Sequence, residues 1–188
     1  SIEFHSNYFE IADNKVGRVL FLREYPTTIG DDFLKKLSDL ARNMVISLDL
    51  QPLSKEAALK KTDRVHLAVE TDITRFRSRQ NKNQNYLAEV PLELSRREEN
   101  VSQVLSALAG GEQKMFLCTL TLVHVADTKT ELDNDSESLK NIASGENADL
   151  ACLTFQQEEG LNTCLPYGLK PIFAERSLLS NAVVGFVP

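Results

Sequence analysis

Four basic side chains crowded onto one short stretch, Arg75, Arg77, Arg79 and Lys82, carry the clearest chemical potential in this chain. No acidic residue lies between Asp72 and Glu89, so the positive charge there is locally uncompensated. Such a cluster can hold an anion, a nucleic-acid backbone or acidic lipid head groups. It reads more simply as a solvated helix end, where cations complement the exposed carbonyls. Glu158-Glu159 has the make-up of an acid–base pair, but adjacent carboxylates at a helix start more simply complement the dipole. The three histidines, His5, His66 and His124, are far apart and lack the i, i+4 spacing of a helical metal pair, which speaks against zinc. No Cys, Asp or Glu partner can be named for His124, which reads as a hydrogen-bonded residue at the sheet margin. Cys118, Cys152 and Cys164 form no C-x-x-C and read as small buried hydrophobes in a reducing compartment.

Nucleotide chemistry leaves no mark. A phosphate-cradling loop needs G-x-x-x-x-G-K-[ST], so that backbone N–H groups and a lysine converge on the phosphates. Gly110-Gly111-Glu112-Gln113-Lys114 lacks that spacing and leads into a strand. No G-x-S-x-G or H-E-x-x-H occurs. The residues therefore predict no catalytic, nucleotide-binding or metal site.

The elements that must position these residues are organised around Lys114 to Ala126. It is a long apolar, β-branched run without Gly or Pro, as expected of a strand buried on both faces. Phe116, Cys118, Leu120, Leu122 and His124 point one way, Met115, Leu117, Thr119, Thr121, Val123 and Val125 the other. Ahead of it, Ile2 to Ile11 reads as one short strand and Val16 to Tyr25 as a stronger one, with Ala12-Asp13-Asn14 as the turn. Val19, Phe21 and Tyr25 share a face opposite Leu20 and Leu22, and Pro26 ends the strand. Thr28 to Asp31 resembles a capping box, Asp31 and Asp32 complement a helix dipole, and the helix runs to about Asn43. Phe33, Leu34, Leu37, Leu40 and Ala41 make its apolar stripe. Met44 to Gln51 alternates as a strand, with Met44, Ile46, Leu48 and Leu50 inward.

Ser54 caps a long helix to about Gln80, with a seam of Leu59, Thr62, His66, Val69, Ile73 and Phe76. A polar turn at 81–85 and Pro91 start the return helix, whose seam is Leu94, Glu98, Val101, Leu105 and Leu108. Gly110-Gly111 stops it. Asp127 caps a further helix with Leu132, Leu139 and Ile142 inside and Glu131, Asp133, Asp135 and Glu137 wet. Leu150 to Gln157 is a strand, Gly160 and Pro166 bracket a short helix, and Arg176 to Val184 holds another. The expected fold is α+β: a ferredoxin-like split β-α-β sheet with an extra N-terminal strand and an inserted antiparallel helical hairpin. Residues 1–53 and 112–188 form the core, and residues 54–111 a projecting arm. Whether strand Ile2–Ile11 or strand Leu150–Gln157 flanks Val16–Tyr25 is left open by the pattern.

At 188 residues, with 42% hydrophobic and 26% charged side chains, the chain fits one domain with an appendage. The formal net charge of −6 argues against a duplex-DNA binder working by bulk attraction. No run reaches membrane-span length, and no signal peptide is expected. The Ser1 start and the Phe186-Val187-Pro188 end read as the cut edges of a longer protein.

Several ordered segments resemble one family. Val19-Leu20-Phe21-Leu22-Arg23-Glu24-Tyr25-Pro26 and Asn43-Met44-Val45-Ile46-Ser47-Leu48 are similar to the opening of VirB/TrbE/CagE-type conjugative-transfer ATPases, Gram-positive mobile-element branch. His124 to Asp133, Gln156 to Asn162 and Leu165-Pro166 continue the resemblance, which spans roughly Ile2 to Pro188. It implies an N-terminal domain that precedes a motor domain carrying the Walker motifs. The implied role is non-catalytic, docking and aligning a hexameric motor at the cytoplasmic face of a type IV secretion channel in the cell membrane. The implied partners are membrane channel subunits and other copies in the parent hexamer. ATP and magnesium belong, by resemblance, to the parent protein and not to these residues. The alternative is a ferredoxin-like module for single-stranded nucleic acid, which would stack bases on exposed sheet aromatics. Phe116 and Phe155 read instead as core, and no K/R-G-F/Y pattern occurs. A small-molecule enzyme lacks any His/Cys/carboxylate constellation.

Overall fold

The computed structural model describes residues 1–12, 14–25, 32–40, 43–165, 176–184 and 186. The strand end at Pro26, the capping box at 28–31, Ala41 of the first helix stripe and Pro166 lie outside the described residues. The chain divides into two compact units, residues 1–51 with 116–188, and residues 52–115.

The first unit is mixed helix and sheet. Its strands are β1 (Ile2–Phe4), β2 (Phe9–Ile11), β3 (Lys15–Glu24), β4 (Met44–Pro52), β5 (Met115–Ala126), β6 (Asp149–Cys152) and β7 (Arg176–Leu179). They form one open sheet in the order β1-β2-β3-β5-β4, with β6 also on β3 and β7 also on β5. The pairings of β1 with β2, and of β3 with β2, β5 and β6, are all antiparallel.

The expected single strand over Ile2–Ile11 is instead the hairpin β1–β2. His5 N–H donates to the Tyr8 carbonyl at 2.9 Å, and this turn folds the segment so that Phe4 lies opposite Phe9. The hairpin and β6 share one edge of β3. β2 pairs with Lys15–Gly17, and β6 pairs from Leu20 onward. β3 is long enough to serve both neighbours in succession, so the two flanks that competed in the sequence are both occupied.

Parity along β3 and β5 sorts the core. Leu20, Leu22, Cys118, Leu120 and Leu122 pack with Phe33 and Leu37 of α1 (Phe33–Ser38) and with Leu139 and Ala143 of α4 (Lys129–Gly145). Val19 and Val123 pack on the other face with Phe9, Leu153 and Cys164, the last at the end of α5 (Gln157–Cys164). Met44, Ile46, Leu48 and Leu50 of β4 do face inward, but each is only half-buried because β4 ends the strand order.

Several boundaries and faces differ from expectation. Tyr25 packs with Leu20 and Leu22 rather than with Val19, because an irregularity between Leu22 and Glu24 shifts the register and turns the following side chain over. α1 stops at Ser38, whose hydroxyl donates to the Lys35 carbonyl at 2.9 Å and competes with the helix ladder, leaving Leu40 exposed. Asp32, not a box residue, sits at its N-cap without a side-chain cap bond and pairs with Lys36 at 3.0 Å. Thr128, not Asp127, caps α4 by accepting the Glu131 N–H at 3.2 Å, the T-x-x-E pattern of a capping box. β6 ends at Cys152, five residues short of the expected strand end. Gly160 lies inside α5, where a Cβ would come within 2.3 Å of Leu153 and 2.8 Å of Val19. Arg176–Val184 splits into β7 and α6 (Ser180–Val184) rather than one helix.

The second unit holds α2 (Lys55–Lys82) and α3 (Leu92–Gly110). Ser54 caps α2, its hydroxyl accepting the Ala57 N–H at 3.1 Å. Thr62, Val69, Ile73 and Leu108 are buried along the seams, and Thr62 satisfies its own hydroxyl on the Ala58 carbonyl at 2.9 Å. Glu98 is exposed, so the polar seam position on α3 faces solvent.

Candidate functional site

Three buried polar side chains of the first unit, Arg18, His124 and Ser136, meet on the sheet face under α4. The antiparallel register sets Arg18 directly opposite His124. Ser136 and Asp133 are three apart on α4 and so share a helix face. Arg18 Nη1 donates to Ser136 Oγ at 2.8 Å, Nη2 to Asp133 Oδ1 at 2.7 Å, and Nε to the Asn7 carbonyl at 2.8 Å. His124 Nε2 lies 2.9 Å from the same Ser136 Oγ. His124 is therefore not at the sheet margin but fully buried within it. Burial first, and then the Arg18 charge, push the His124 pKa down to about 4, so its ring is neutral near pH 7. Asp133, expected on the wet side, is half-buried beneath Arg18. Lys129 bonds both its oxygens, at 2.8 and 2.9 Å, and with Arg18 holds the carboxyl below its ordinary pKa. Lys129 also stands 5.0 Å above the Tyr8 ring.

A serine beside a histidine has the composition of a nucleophile and its base. Here Ser136 is 1% exposed and its oxygen is held by Arg18, so no substrate reaches it. The constellation pins β3, β5, α4 and the β1–β2 turn together. Two of the cysteines are equally unsuited to nucleophilic chemistry: burial pushes the Cys152 and Cys164 thiols up, and Cys164 Sγ lies 2.9 Å from Thr121 Oγ1.

The glycine pair 110–111 does not fit a nucleotide. Gly111 is the left-handed C-cap of α3, with φ of 76°. Its N–H donates to the Leu108 carbonyl at 3.2 Å, and those of Glu112 and Gln113 donate to Ala107 at 3.0 and 3.3 Å. The amides that a phosphate would need are turned back onto the helix. Glu158 and Glu159 sit in the first turn of α5, as dipole partners do.

Among the described residues, one group can approach a metal ion: Glu3, His5 and Glu10, whose ligating atoms lie within 4.8 Å of one another. The β1–β2 hairpin creates this proximity, which linear spacing hides. Both carboxylates are exposed, His5 in the turn stands 3.4 Å from Glu10, and exposed acidic groups gather in this way without an ion.

In the second unit the four cations occupy the last turns of α2, and all are exposed. Helical geometry puts Arg75, Arg79 and Lys82 on one face and Arg77 about 200° round from Arg75. Arg75 is 3.9 Å from Asp72, and among the described residues the other three have no carboxylate at ion-pair distance. The chain then turns through Asn83, the C-cap, and Gln84 at φ 59°, and presents Tyr86 at 73%, Leu87 at 93% and Leu92 at 64% exposure. These apolar residues were missed from sequence. Their signal is that they fall outside both seams. His66, by contrast, is a half-buried seam residue 4.0 Å from Glu70.

Neither the family models nor the curated proteins contain a match to this chain.

One expectation against nucleic acid fails. Phe155 is not core but 81% exposed, in the connection from β6 to α5, with a left-handed φ of 58°. Its N–H donates to the Ser6 carbonyl at 2.6 Å, which fixes that turn and throws the ring outward. Phe116 is half-buried.

Proposed function

We propose that this chain is a non-catalytic assembly module, the N-terminal domain of a conjugative-transfer ATPase, which docks and aligns its motor at a type IV secretion channel on the inner face of the cell membrane. The observation that carries this is where the family-like segments fall. The described parts of these segments, 19–25, 43–48, 124–133 and 156–162, fall in order on β3, β4, the β5–α4 junction and α5 of the α+β unit. The path β6-β3-β5-β4, with α1 following β3 and α4 following β5, supports a ferredoxin-like reading of that unit, with the β1–β2 hairpin added at one edge. The closed Arg18–His124–Ser136 cluster and the occupied amides after Gly111 support a role without turnover. Channel subunits and sister copies in the parent hexamer are the partners, and ATP and magnesium serve the motor.

The test is capture of channel subunits by the chain, together with an ATPase assay. Capture without turnover is expected, and ATP hydrolysis by the pure chain would reject the reading. A second reading, a module for single-stranded nucleic acid, is favoured by exposed Phe155 alone. Salt-titrated binding to single-stranded DNA, lost in Phe155→Ala, would support it.

A further inference from the structure

We infer that the turn between α2 and α3 is a membrane-docking tip that inserts Leu87, Leu92 and Tyr86 into an anionic lipid surface. The cations of α2 contact the head groups. Leu87 is 93% exposed at the apex, and Tyr86 and Leu92 flank it in a short connection held by backbone bonds from Asn83 to Arg79 and from Asn85 to Gln80. Water gains nothing from an exposed leucine, whereas an acyl boundary does. A tyrosine suits the interface, with its ring in the apolar layer and its hydroxyl in the wet one.

The charge agrees with that placement. From Ile73 to Ala88 the chain carries Arg75, Arg77, Arg79 and Lys82 and no carboxylate, within a protein of net charge −6. Glu89, exposed between Leu87 and Leu92, stays at the head-group level, and on α3 Arg96 and Arg97 stand among Glu93, Glu98 and Glu99, so the positive bias belongs to α2. Cations on more than one face of α2 suit a surface that meets the tip end-on. A bilayer with acidic lipids is complementary to both features. A nucleic acid would use the cations but not the leucines. This inference does not rest on the secretion reading: vesicle binding can fail while channel capture succeeds, and the reverse.

The test uses the whole chain with vesicles of phosphatidylcholine alone or mixed with phosphatidylglycerol. The protein has no tryptophan, so Tyr86→Trp places a single reporter at the tip. Expected are co-sedimentation with the mixed vesicles only, weakening with salt, and a blue-shifted emission on binding. Arg79→Gln and Lys82→Gln should each weaken binding roughly five-fold. Leu87→Ser with Leu92→Ser should weaken it at least ten-fold, by the order of one buried leucine. All these positions are exposed, and unchanged circular dichroism checks that the variants fold. An unshifted tryptophan without sedimentation overturns the inference. So does vesicle binding untouched by the leucine changes, or binding to single-stranded DNA alone that is lost with the arginines and kept without the leucines.

Discussion

Replacing Gln157 by Leu should cost the first unit about 2–5 kcal/mol, a large share of the ~5–15 kcal/mol typical of a domain. The figure follows from a gap in the sheet. β2 leaves β3 at Gly17 and β6 joins at Leu20, so Val19 faces neither strand. The Gln157 amide fills that gap. Its Oε1 accepts the Val19 N–H at 2.8 Å, and its Nε2 donates to the Leu153 carbonyl at 2.7 Å and the Val19 carbonyl at 3.3 Å. Gln157 is 2% exposed and Val19 fully buried, so water cannot take over. The Val19 carbonyl keeps a contact with the Leu153 N–H at 3.4 Å. The Val19 N–H is orphaned, at about 1–3 kcal/mol, and the Leu153 carbonyl, left with only the Cys152 thiol at 3.4 Å, loses a further ~1–2 kcal/mol. Urea unfolding followed by circular dichroism measures the loss, and hydrogen exchange at the Val19 amide locates it. Gln157→Glu supplies a control with a sign. The introduced carboxyl would be buried against two carbonyls, so its folded pKa lies above the unfolded ~4.3. Its penalty, relative to the parent, is absent below the unfolded value and complete above the folded one, so this variant should approach the parent as pH falls. A loss below about 0.5 kcal/mol, with the Val19 amide as protected as before, would refute the reasoning.

Three further outcomes follow from particular contacts. His124 has a folded pKa of about 4 against an unfolded ~6.5, so the unfolded chain takes its proton first and about 3 kcal/mol of stability drains away as pH falls from 6.5 to 4; the pH profile of urea midpoints should flatten there in His124→Gln. Gly160→Ala sets a Cβ against Leu153 and Val19 and should cost about 1–3 kcal/mol by overpacking, read as a lowered melting temperature, with part of the loss recovered in the Leu153→Ala background. Thr128→Ala removes the α4 cap and should cost about 1 kcal/mol, while Asp127→Ala, on the residue expected to cap, should cost less.

Where one residue type recurs at a fixed period, the sequence and the structure agree. The two-faced run at Lys114–Ala126 is a buried strand, the inward set of β4 alternates as spaced, and Thr62, Val69 and Ile73 fall on the buried stripe of α2. Periodic burial is a local property and leaves a local trace. The failures are non-local. Nothing local in the sequence marks Arg18 as buried, because the groups that hold it, Ser136 and Asp133, lie 118 and 115 positions on. Gln157 reads as one more strand residue because only a gap 138 positions earlier gives its amide a use. The turn at His5–Tyr8 lacks glycine and proline, so it hid inside an apparently continuous strand. Thr128 was legible and overlooked: T-K-T-E states the capping box outright.

The same distinction separates what this chain keeps from what it offers. Charged and nucleophilic groups that would ordinarily suggest a reaction centre are spent in the interior: Arg18, His124 and Ser136 on one another, and the Cys164 thiol on Thr121. A buried network of this kind specifies one register, because a slip of β3 by a single residue would put Arg18 on the opposite face from Ser136 and strand both. The exposed groups outside the packing seams include Leu87 and Tyr86 at the helical turn, the α2 cations behind them, and Phe155 held outward at a backbone angle that aromatic residues rarely adopt. Strain at Phe155 persists only because the Ser6 contact fixes its turn, so it is a better guide to an outward role than any exposed residue at ordinary angles. On the proposed reading, mutations that silence the chain should sort by place: core polar changes through stability, tip and Phe155 changes through binding with the fold intact.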